Sequence, residues 1–440
     1  MLPSMSPVSP LYRAAVRAAH AAAPLLAVGD SKLARGLAGR RHAHDILASW
    51  GEKERDPSRP VAWVHAPSVG EALQAGAVIG ALRARRPGLQ VAFTHFSPSA
   101  EGIGPRVGAN VAAYLPWDSS LAVGRALDGL CPDVLAFTKT EVWPVLVDEA
   151  IRRGVRVALV AASVPPGAGR LRWPARALLR GTWPQLSLAC ACSDEDAAGL
   201  VALGVPESVV HVTGDPGVDA AAERAGQADR VARSLTPFQA DARPTIVAGS
   251  TWPRDEAVLM GALEQVRGAV ADVRVIVAAH EPTPSRVRDL LARLSAAGWR
   301  SRTLADVEAS GSAEGTDAVV VERVGVLAQL YTVADAAYVG GGFGRHGLHS
   351  VLEPAAAGVP VVVGPWHGRS AAAAALVALG GARVVSDAHE LARALADWLT
   401  DSDARVGAGE RAFTYIAGHC GAAARTAALL DPLLRSHPSA

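Results

Sequence analysis

Short runs of β-branched and apolar residues alternate with amphipathic helical segments along most of this chain. Runs of this kind bury both faces of a strand, which is typical of a parallel sheet covered by helices on its two sides. The alternation therefore predicts a doubly wound α/β architecture. The predicted strands are residues 61–65, 91–95, 112–115, 134–138, 155–161, 186–191, 209–213, 245–248, 273–278, 318–321, 336–339 and 359–363.

The alternation stops in a polar, alanine-rich stretch and then restarts. Since 440 residues exceed what one core usually serves, we expect two domains. The predicted division is an N-terminal segment 1–40, a first Rossmann-like domain 41–220, a linker 221–240 and a second Rossmann-like domain 241–440, whose last helix is a candidate to cross back. Two such domains facing a central cleft form a GT-B-like architecture, with ligands at the carboxyl ends of the strands.

Charge and cysteine content exclude several classes of protein. With 43 basic and 42 acidic residues, the net charge is about +1, which does not suit a nucleic-acid-binding protein. The four cysteines form neither a CxxC pair nor a Cys/His group at zinc spacing, so we expect reduced cysteines and no metal site. No run of about 18 uncharged apolar residues marks a transmembrane helix.

Residues 11–27 are alanine-rich and carry Arg13, Arg17 and His20. An apolar face beside basic residues is typical of a helix that lies on an anionic membrane surface. The same pattern also suits an ordinary amphipathic helix packed on the first domain. Of the two, we favour the interfacial helix.

A glycine-rich segment at residues 340–354 follows a predicted strand and leads into a predicted helix at 350–357. Bare N–H groups of such a turn, with the partial positive charge of a helix start, suit a phosphate and predict contacts at Gly340 and Gly341. His349 and Glu353 are four residues apart and are expected to share one helix face, with the carboxylate holding ribose hydroxyls. The alternative is a tight turn without a ligand.

Two further segments follow predicted strands of the first half. Ser68, Gly70 and Glu71 come after the first strand, and Glu71 falls in the first helical turn, where the helix dipole favours an ionised carboxylate that can act as a general base. Lys139 and Glu141 follow the strand at 134–138 and are possible substrate contacts. The alternatives are an ordinary helix-start glutamate and a surface ion pair.

In the second half, Ser250 and Thr251 end the first strand, and His280 ends the next one. Small hydroxyl residues at a strand-to-helix turn suit phosphate contact, although helix capping explains them equally well. His280 is a candidate contact to a phosphate or base, or a structural histidine. The sequence contains neither a GxxxxGK[ST] phosphate loop nor a GxSxG nucleophile elbow.

Taken together and in this order, these segments resemble the 3-deoxy-D-manno-octulosonic acid (Kdo) transferases of lipopolysaccharide assembly. The resemblance covers roughly residues 32–382. Its motifs are HAPSVGE at 65–71, FSPS at 96–99, YLPWD at 114–118, EVWP at 141–144, GD at 214–215, GST at 249–251, ERVGVL at 322–327 and the stretch 340–354.

The resemblance implies an inverting, metal-independent GT-B glycosyltransferase that needs no cofactor. Its donor is CMP-Kdo, its acceptor is a lipid A precursor, and its location is the cytoplasmic face of the inner membrane. The family's general base falls on Glu71. Its nucleotide-binding residues fall on Ser250, Thr251, His280, Gly340, Gly341, His349 and Glu353.

Three positions depart from the family pattern. Many members have Glu where this chain has Lys139, Arg where it has Ala279 and Asn where it has Ser350. The rival predictions are a GT-B transferase or epimerase that uses another nucleotide sugar, and a catalytically inactive relative that serves as a membrane-associated scaffold.

Overall fold

The computed structural model describes residues 8–26, 31–164, 168–229, 231–239, 243–345 and 347–435. The chain divides into two compact units, of which the first comprises residues 1–220 and 421–440 and the second residues 221–420. Residues 1–7 and 27–30 of the predicted N-terminal segment lie outside the described residues.

Each unit contains one parallel sheet of seven strands. The first sheet has the order β3-β2-β1-β4-β5-β6-β7 and the second the order β10-β11-β9-β8-β12-β13-β14. The strands are β1 Val61–Ala66, β2 Gln90–His95, β3 Val111–Tyr114, β4 Val134–Thr138, β5 Arg156–Ala162, β6 Leu188–Ala191, β7 Val210–Val212, β8 Thr245–Thr251, β9 Arg274–Ala279, β10 Ser301–Thr303, β11 Ala318–Val321, β12 Ala336–Val339, β13 Val361–Val363 and β14 Ala382–Val384.

Helices connect the strands. They are α1 Pro10–Leu26, α2 Lys32–Arg40, α3 Ala43–Lys53, α4 Val69–Arg85, α5 Ser120–Leu130, α6 Pro144–Arg152, α7 Ala175–Leu179, α8 Asp194–Leu203, α9 Pro216–Gly226, α10 Thr236–Gln239, α11 Pro253–Ala269, α12 Pro284–Ala296, α13 Leu304–Ser310, α14 Leu327–Leu330, α15 Leu352–Ala356, α16 Ala371–Leu379, α17 Ala388–Thr400, α18 Ser402–His419 and α19 Ala422–Leu430. No helix within the described ranges is long and apolar enough to span a membrane.

All twelve predicted strands are present, with ends that differ by up to three residues. Strands β10 and β14 were not predicted; both are three-residue edge strands with partly exposed side chains. The prediction of two doubly wound, Rossmann-like α/β units is confirmed.

Each sheet has one point where the strand order reverses. In the first sheet it lies between β1 and β4, and in the second between β8 and β12. Ligands of doubly wound sheets bind beside the carboxyl ends of the strands at such points. The segments that follow these four strands contain most of the predicted site residues.

The predicted linker 221–240 contains the end of α9 and the whole of α10. Leu235 and Phe238 are buried in a hydrophobic core of the second unit, so this stretch is part of that folded unit rather than a linker. At the other end of the chain, α19 belongs to the first unit and packs on α4. Asp219 accepts hydrogen bonds from the backbone N–H groups of Gly421 (2.6 Å) and Ala423 (3.0 Å), which caps α19.

Helix α1 packs on the first unit through polar contacts. The Tyr12 hydroxyl donates to Oδ2 of the buried Asp118 over 2.7 Å, and Arg13 forms an ion pair with Asp148 at 3.0 Å. Asp118 also accepts from the backbone N–H groups of Val145 and Leu146, the first turn of α6. Asp118 therefore joins α1 to the start of α6. Arg13, one of the predicted lipid-facing cations, forms its ion pair within the protein.

In the second unit, one buried carboxylate joins the segments at the strand-order reversal. Asp255, in the first turn of α11, is fully buried. It accepts hydrogen bonds from the Tyr338 hydroxyl (3.0 Å) and from the backbone N–H groups of Trp252 (2.9 Å), Gly341 (2.8 Å) and Phe343 (3.2 Å). Burial and the adjacent carboxylate raise the pKa of Tyr338, which keeps its hydroxyl a donor. Asp255 thus fixes the ends of β8 and β12 relative to each other.

We predict that Asp255→Ala lowers the free energy of unfolding of the second unit by about 3–5 kcal/mol, because it leaves several buried donors without an acceptor. Urea unfolding measures the change. The matched control is Asp289→Ala on α12, whose side chain is 51% exposed and lies 3.8–3.9 Å from two arginines; we expect it to cost less than about 1 kcal/mol. Equal effects of the two substitutions would contradict the role given to Asp255.

Candidate active site and nucleotide site

Glu71 lies in the first turn of α4, directly after β1. Ser68 is the residue before the helix, and its hydroxyl donates to Oε2 of Glu71 instead of capping a backbone N–H group. Gly70 is exposed, and only the Ser68 hydroxyl lies near the position of an added Cβ. The carboxylate therefore sits, partly exposed, at the strand-order reversal of the first sheet, with one oxygen held by Ser68.

Lys139 and Glu141 follow β4, the other strand at this reversal. Lys139 has a left-handed backbone with φ of 58°, and its N–H donates to the carbonyl of Val160 over 3.0 Å. The two side chains, both described, form no ion pair with each other, so the predicted alternative of a surface ion pair between them is wrong. Glu141 Oε1 instead lies 3.9 Å from Nε2 of His65, whose side chain is completely buried.

Arg40 was not selected from the sequence, and it lies among the motifs that surround the candidate site of the first unit. Its guanidinium carbon lies 4.8, 4.7 and 5.2 Å from the ring centres of Phe96, Trp117 and Trp143. Its N–H groups donate to the carbonyls of Leu115 (3.0 Å) and Pro116 (3.1 Å). A cation among three aromatic rings holds them at fixed distances, and Arg40 thereby joins three of the motifs on which the family resemblance rests.

Electrostatics connect Glu141 to two arginines. Burial lowers the pKa of Arg40 to about 10, and the charges of Asp118 and Glu141 oppose that change. Burial also lowers the pKa of Arg170, again opposed by Glu141. Glu141 is therefore a carboxylate in a positive environment, which suits a fixed acceptor for the hydroxyl groups of a sugar.

In the second unit, three aromatic rings stack at the ends of β8 and β9. The His280 ring centre lies 4.8 Å from that of Trp252 and 4.2 Å from that of His349. The Trp252 indole Nε1–H donates to Nε2 of His349 over 2.8 Å. The structure thus brings the predicted residues His280 and His349 into direct ring contact. Trp252, which was not selected from the sequence, contacts both.

The predicted phosphate donors Gly340 and Gly341 use their N–H groups within the protein. The Gly340 N–H donates to the carbonyl of Gly249 over 2.9 Å, and that of Gly341 donates to Asp255. The expectation of bare N–H groups at these two positions is therefore wrong. A Cβ at Gly340 would collide with the backbone of Ser250 and Thr251, and Gly341 has φ of 93°, so close packing and backbone conformation require glycine at both positions.

Helix α15 is shorter than predicted and begins at Leu352. The His349 N–H donates to the carbonyl of Gly340 over 3.1 Å, and the Ser350 hydroxyl accepts from the N–H of Leu352. His349 thus lies before the helix, and the prediction that His349 and Glu353 share one helix face is wrong.

Glu353 lies in the first turn of α15 and forms an ion pair with Arg224 of α9. Its side chain is 18% exposed, so the carboxylate is partly accessible. Arg224 was not selected from the sequence, because an arginine 129 residues away gives no local signal of this contact.

Ser250 is the extra residue of a bulge in the pairing of β8 with β9, and Thr251 is paired with Ala279. Ser250 has a left-handed φ of 55°, and Thr251 is buried with its hydroxyl donating to Glu256 over 3.2 Å. The N–H of His280 donates to the carbonyl of Thr251 over 3.0 Å. Neither hydroxyl caps α11, since the residue before that helix is Trp252.

Comparison with known proteins agrees with this architecture. A model of the 3-Deoxy-D-manno-octulosonic-acid transferase (kdotransferase) family matches residues 43–220. The structures of UDP-GlcNAc 2-epimerase from Neisseria meningitidis bound to UDP-GlcNAc (TM-score 0.58, 15% identity, 85% of this chain and 99% of that chain) and of a glycosyltransferase from Rickettsia africae (TM-score 0.54, 12% identity, 85% and 98%) share the fold. These likenesses assign the two units to the GT-B-like class.

Sequence relatives define the family. The 3-deoxy-D-manno-octulosonic acid transferase of Bordetella pertussis is 33% identical over 404 residues, covering 87% of this chain and 90% of that protein. The transferase of the same name from Haemophilus influenzae is 24% identical over 376 residues, covering 84% and 87%. The family predicted from the sequence motifs is thereby confirmed: the chain belongs to the 3-deoxy-D-manno-octulosonic acid transferases, a family of glycosyltransferases.

Proposed function

We propose that the protein transfers Kdo from CMP-Kdo to a lipid A precursor, with inversion at the anomeric carbon and without a metal ion. The observation that carries the proposal is the position of Glu71, a partly exposed carboxylate at the strand-order reversal of the first unit in a chain of this family. Glu71 is the general base in this proposal.

The chemical step needs one base and one leaving group. Glu71 removes the proton from an acceptor hydroxyl, and the oxygen forms a bond to the anomeric carbon of Kdo. The bond from that carbon to the phosphate oxygen breaks, and CMP leaves with the electron pair. The hydroxyl of Ser68 orients the Glu71 carboxylate through its hydrogen bond to Oε2, which leaves Oε1 for the acceptor. Glu141, near Arg40 and Arg170, is placed to accept sugar hydroxyls.

The donor nucleotide is assigned to the strand-order reversal of the second unit. Glu353 holds ribose hydroxyls, and His280 and His349 contact the phosphate. The hydroxyl of Thr251 is directed to Glu256, so Thr251 orders the end of β8, and Ser250 is the better candidate for direct contact. Gly340 and Gly341 contribute by permitting close packing of the turn rather than by donating hydrogen bonds to the phosphate.

Two measurements separate the rival functions. The first compares the affinities for CMP, UMP and UDP, because a UDP-sugar transferase or epimerase would prefer UMP or UDP. The second measures CMP binding together with turnover, because an inactive scaffold would bind CMP without turnover or would not bind it.

We predict that Glu71→Gln lowers the rate of Kdo transfer by about 10²–10⁴-fold, because glutamine cannot accept the proton. The assay follows transfer from freshly generated CMP-Kdo to a lipid A precursor in the presence of EDTA. The exposed Glu52→Gln on α3 serves as the control and should transfer at the wild-type rate. Near-normal turnover of Glu71→Gln would contradict the assignment of the base, and loss of wild-type activity in EDTA would contradict metal independence.

We predict that Glu353→Gln weakens CMP binding by about 10-fold or more, because a hydrogen bond from a ribose hydroxyl to a charged acceptor becomes one to a neutral amide. Isothermal titration with CMP measures the affinity. Glu308→Gln, which removes another arginine-paired carboxylate of the same unit, is the matched control. Unchanged affinity of the Glu353 variant, or an equal loss in the control, would contradict the ribose contact.

The proposal also places the protein at the cytoplasmic face of the inner membrane as a peripheral protein. Its support is the exposure of Leu11 (75%) on α1 and Leu33 (60%) on α2, two helices that also carry the exposed Arg17 and Arg35. Helices with exposed leucines and arginines suit a headgroup region rich in anionic lipids.

We predict that replacing Leu11 and Leu33 together by Asp lowers binding to vesicles that contain phosphatidylglycerol by about 10-fold or more, because two apolar contacts are lost and two negative charges are added. Co-sedimentation measures the bound fraction. Leu379→Asp, at a 49% exposed leucine of the second unit, is the control and should bind as the wild type does. Equal binding of all three proteins would contradict this surface.

A further inference from the structure

The strongest unassigned feature of the candidate nucleotide site is the position of Trp252. It directly follows β8 and precedes α11, and its backbone N–H is held by the buried Asp255 at 2.9 Å. Its ring stacks on that of His280 at 28°, and it lies nearly parallel to that of His349, at 15° with the ring centres 6.2 Å apart. The hydrogen bond of the backbone N–H to Asp255 and the stacking of the ring on His280 therefore hold the indole in one position.

The hydrogen bond between Trp252 and His349 has only one possible direction. An indole Nε1–H donates and cannot accept. Its partner at 2.8 Å, Nε2 of His349, must therefore present a lone pair. A neutral imidazole with a lone pair on Nε2 carries its proton on Nδ1. Protonation of Nε2 would place two N–H groups against each other.

The stacking of the rings favours the same state. The His280 and His349 ring centres are 4.2 Å apart, with an angle of 22° between the ring planes. Two cationic imidazoles at this separation would repel each other. A neutral His349 removes that repulsion whatever the charge of His280.

We propose that Trp252 is a positioning residue that holds His349 as the neutral tautomer with its proton on Nδ1. His349 then acts at the nucleotide site as a donor of one oriented N–H rather than as a cation. This inference rests on the proposed function for its consequence in binding, whereas the tautomer itself is a property of the ligand-free protein. A neutral donor of fixed direction suits an oxygen of the phosphate or ribose of a nucleoside monophosphate.

The first test measures the tautomer directly. Long-range ¹H–¹⁵N correlation spectra of the full chain with ¹⁵N-labelled histidine distinguish protonated from unprotonated ring nitrogens, and His349→Gln identifies the signal of His349. At about pH 8, where an ordinary histidine is neutral, we expect Nδ1 protonated and Nε2 unprotonated in the wild type. Trp252→Phe keeps an aromatic ring and removes the donor, so the Nε2-protonated tautomer should appear. A His349 whose Nε2 carries the proton in the wild type overturns the proposal.

The second test asks whether Trp252 acts on the nucleotide through His349. We expect Trp252→Phe to weaken CMP binding by about 5- to 10-fold, the effect of one lost hydrogen bond. In a His349→Gln background the same substitution should have almost no further effect, because the residue that it orients is absent. Trp299→Phe, at a buried tryptophan of the same unit, should leave the affinity unchanged.

The outcomes separate this inference from the proposed function. Equal losses from Trp252→Phe in both backgrounds would mean that Trp252 acts independently of His349, and would overturn the inference. If the wild type binds no CMP while His349 shows the Nδ1-protonated tautomer, the proposed nucleotide site fails and the role of Trp252 as a positioning residue stands.

Discussion

The carboxylate of Asp255 holds together the segments that build the candidate nucleotide site. It is fully buried and accepts hydrogen bonds from Trp252 at the end of β8, from Tyr338 in β12 and from Gly341 and Phe343 in the glycine turn. A buried carboxylate is tolerated only when donors surround it, so these contacts depend on one another. The same contacts place the indole of Trp252 against His349. The arrangement of the site thus follows from satisfying one buried charge.

The fold was predictable because buried parallel strands leave a strong signal in the sequence. The run Ala318–Val321 is apolar at every position and Val134–Thr138 at all but the last, and both appear as predicted. The two missed strands, β10 and β14, lie at sheet edges, where polar and partly exposed residues remove that signal. Their pairing is set by the neighbouring strands rather than by local preference.

For the candidate site, the sequence predicted which segments of the chain contribute, but not how the residues of those segments contact one another. The place of Glu71 in the first helical turn after β1 was predicted from the local sequence, and its role as the general base stays a proposal. The role of the glycine turn was not predicted, because the N–H of Gly341 is bound by Asp255, 86 residues away, and that of Gly340 by the carbonyl of Gly249. The late start of the predicted helix, at Leu352 instead of Ser350, has the same cause, since the N–H of His349 donates to the carbonyl of Gly340 across the turn. Arg40 and Arg224 likewise act through contacts that no local pattern reveals.

The most direct test of this account is a crystal structure of the protein with bound CMP. We expect the nucleotide beside β8 and β12, with the ribose at Glu353, the phosphate near His280 and His349, and the Gly341 N–H still donating to Asp255. A phosphate that takes the Gly341 N–H and displaces Asp255 would contradict the central role given to that carboxylate, and CMP bound away from β8 and β12 would contradict the site itself.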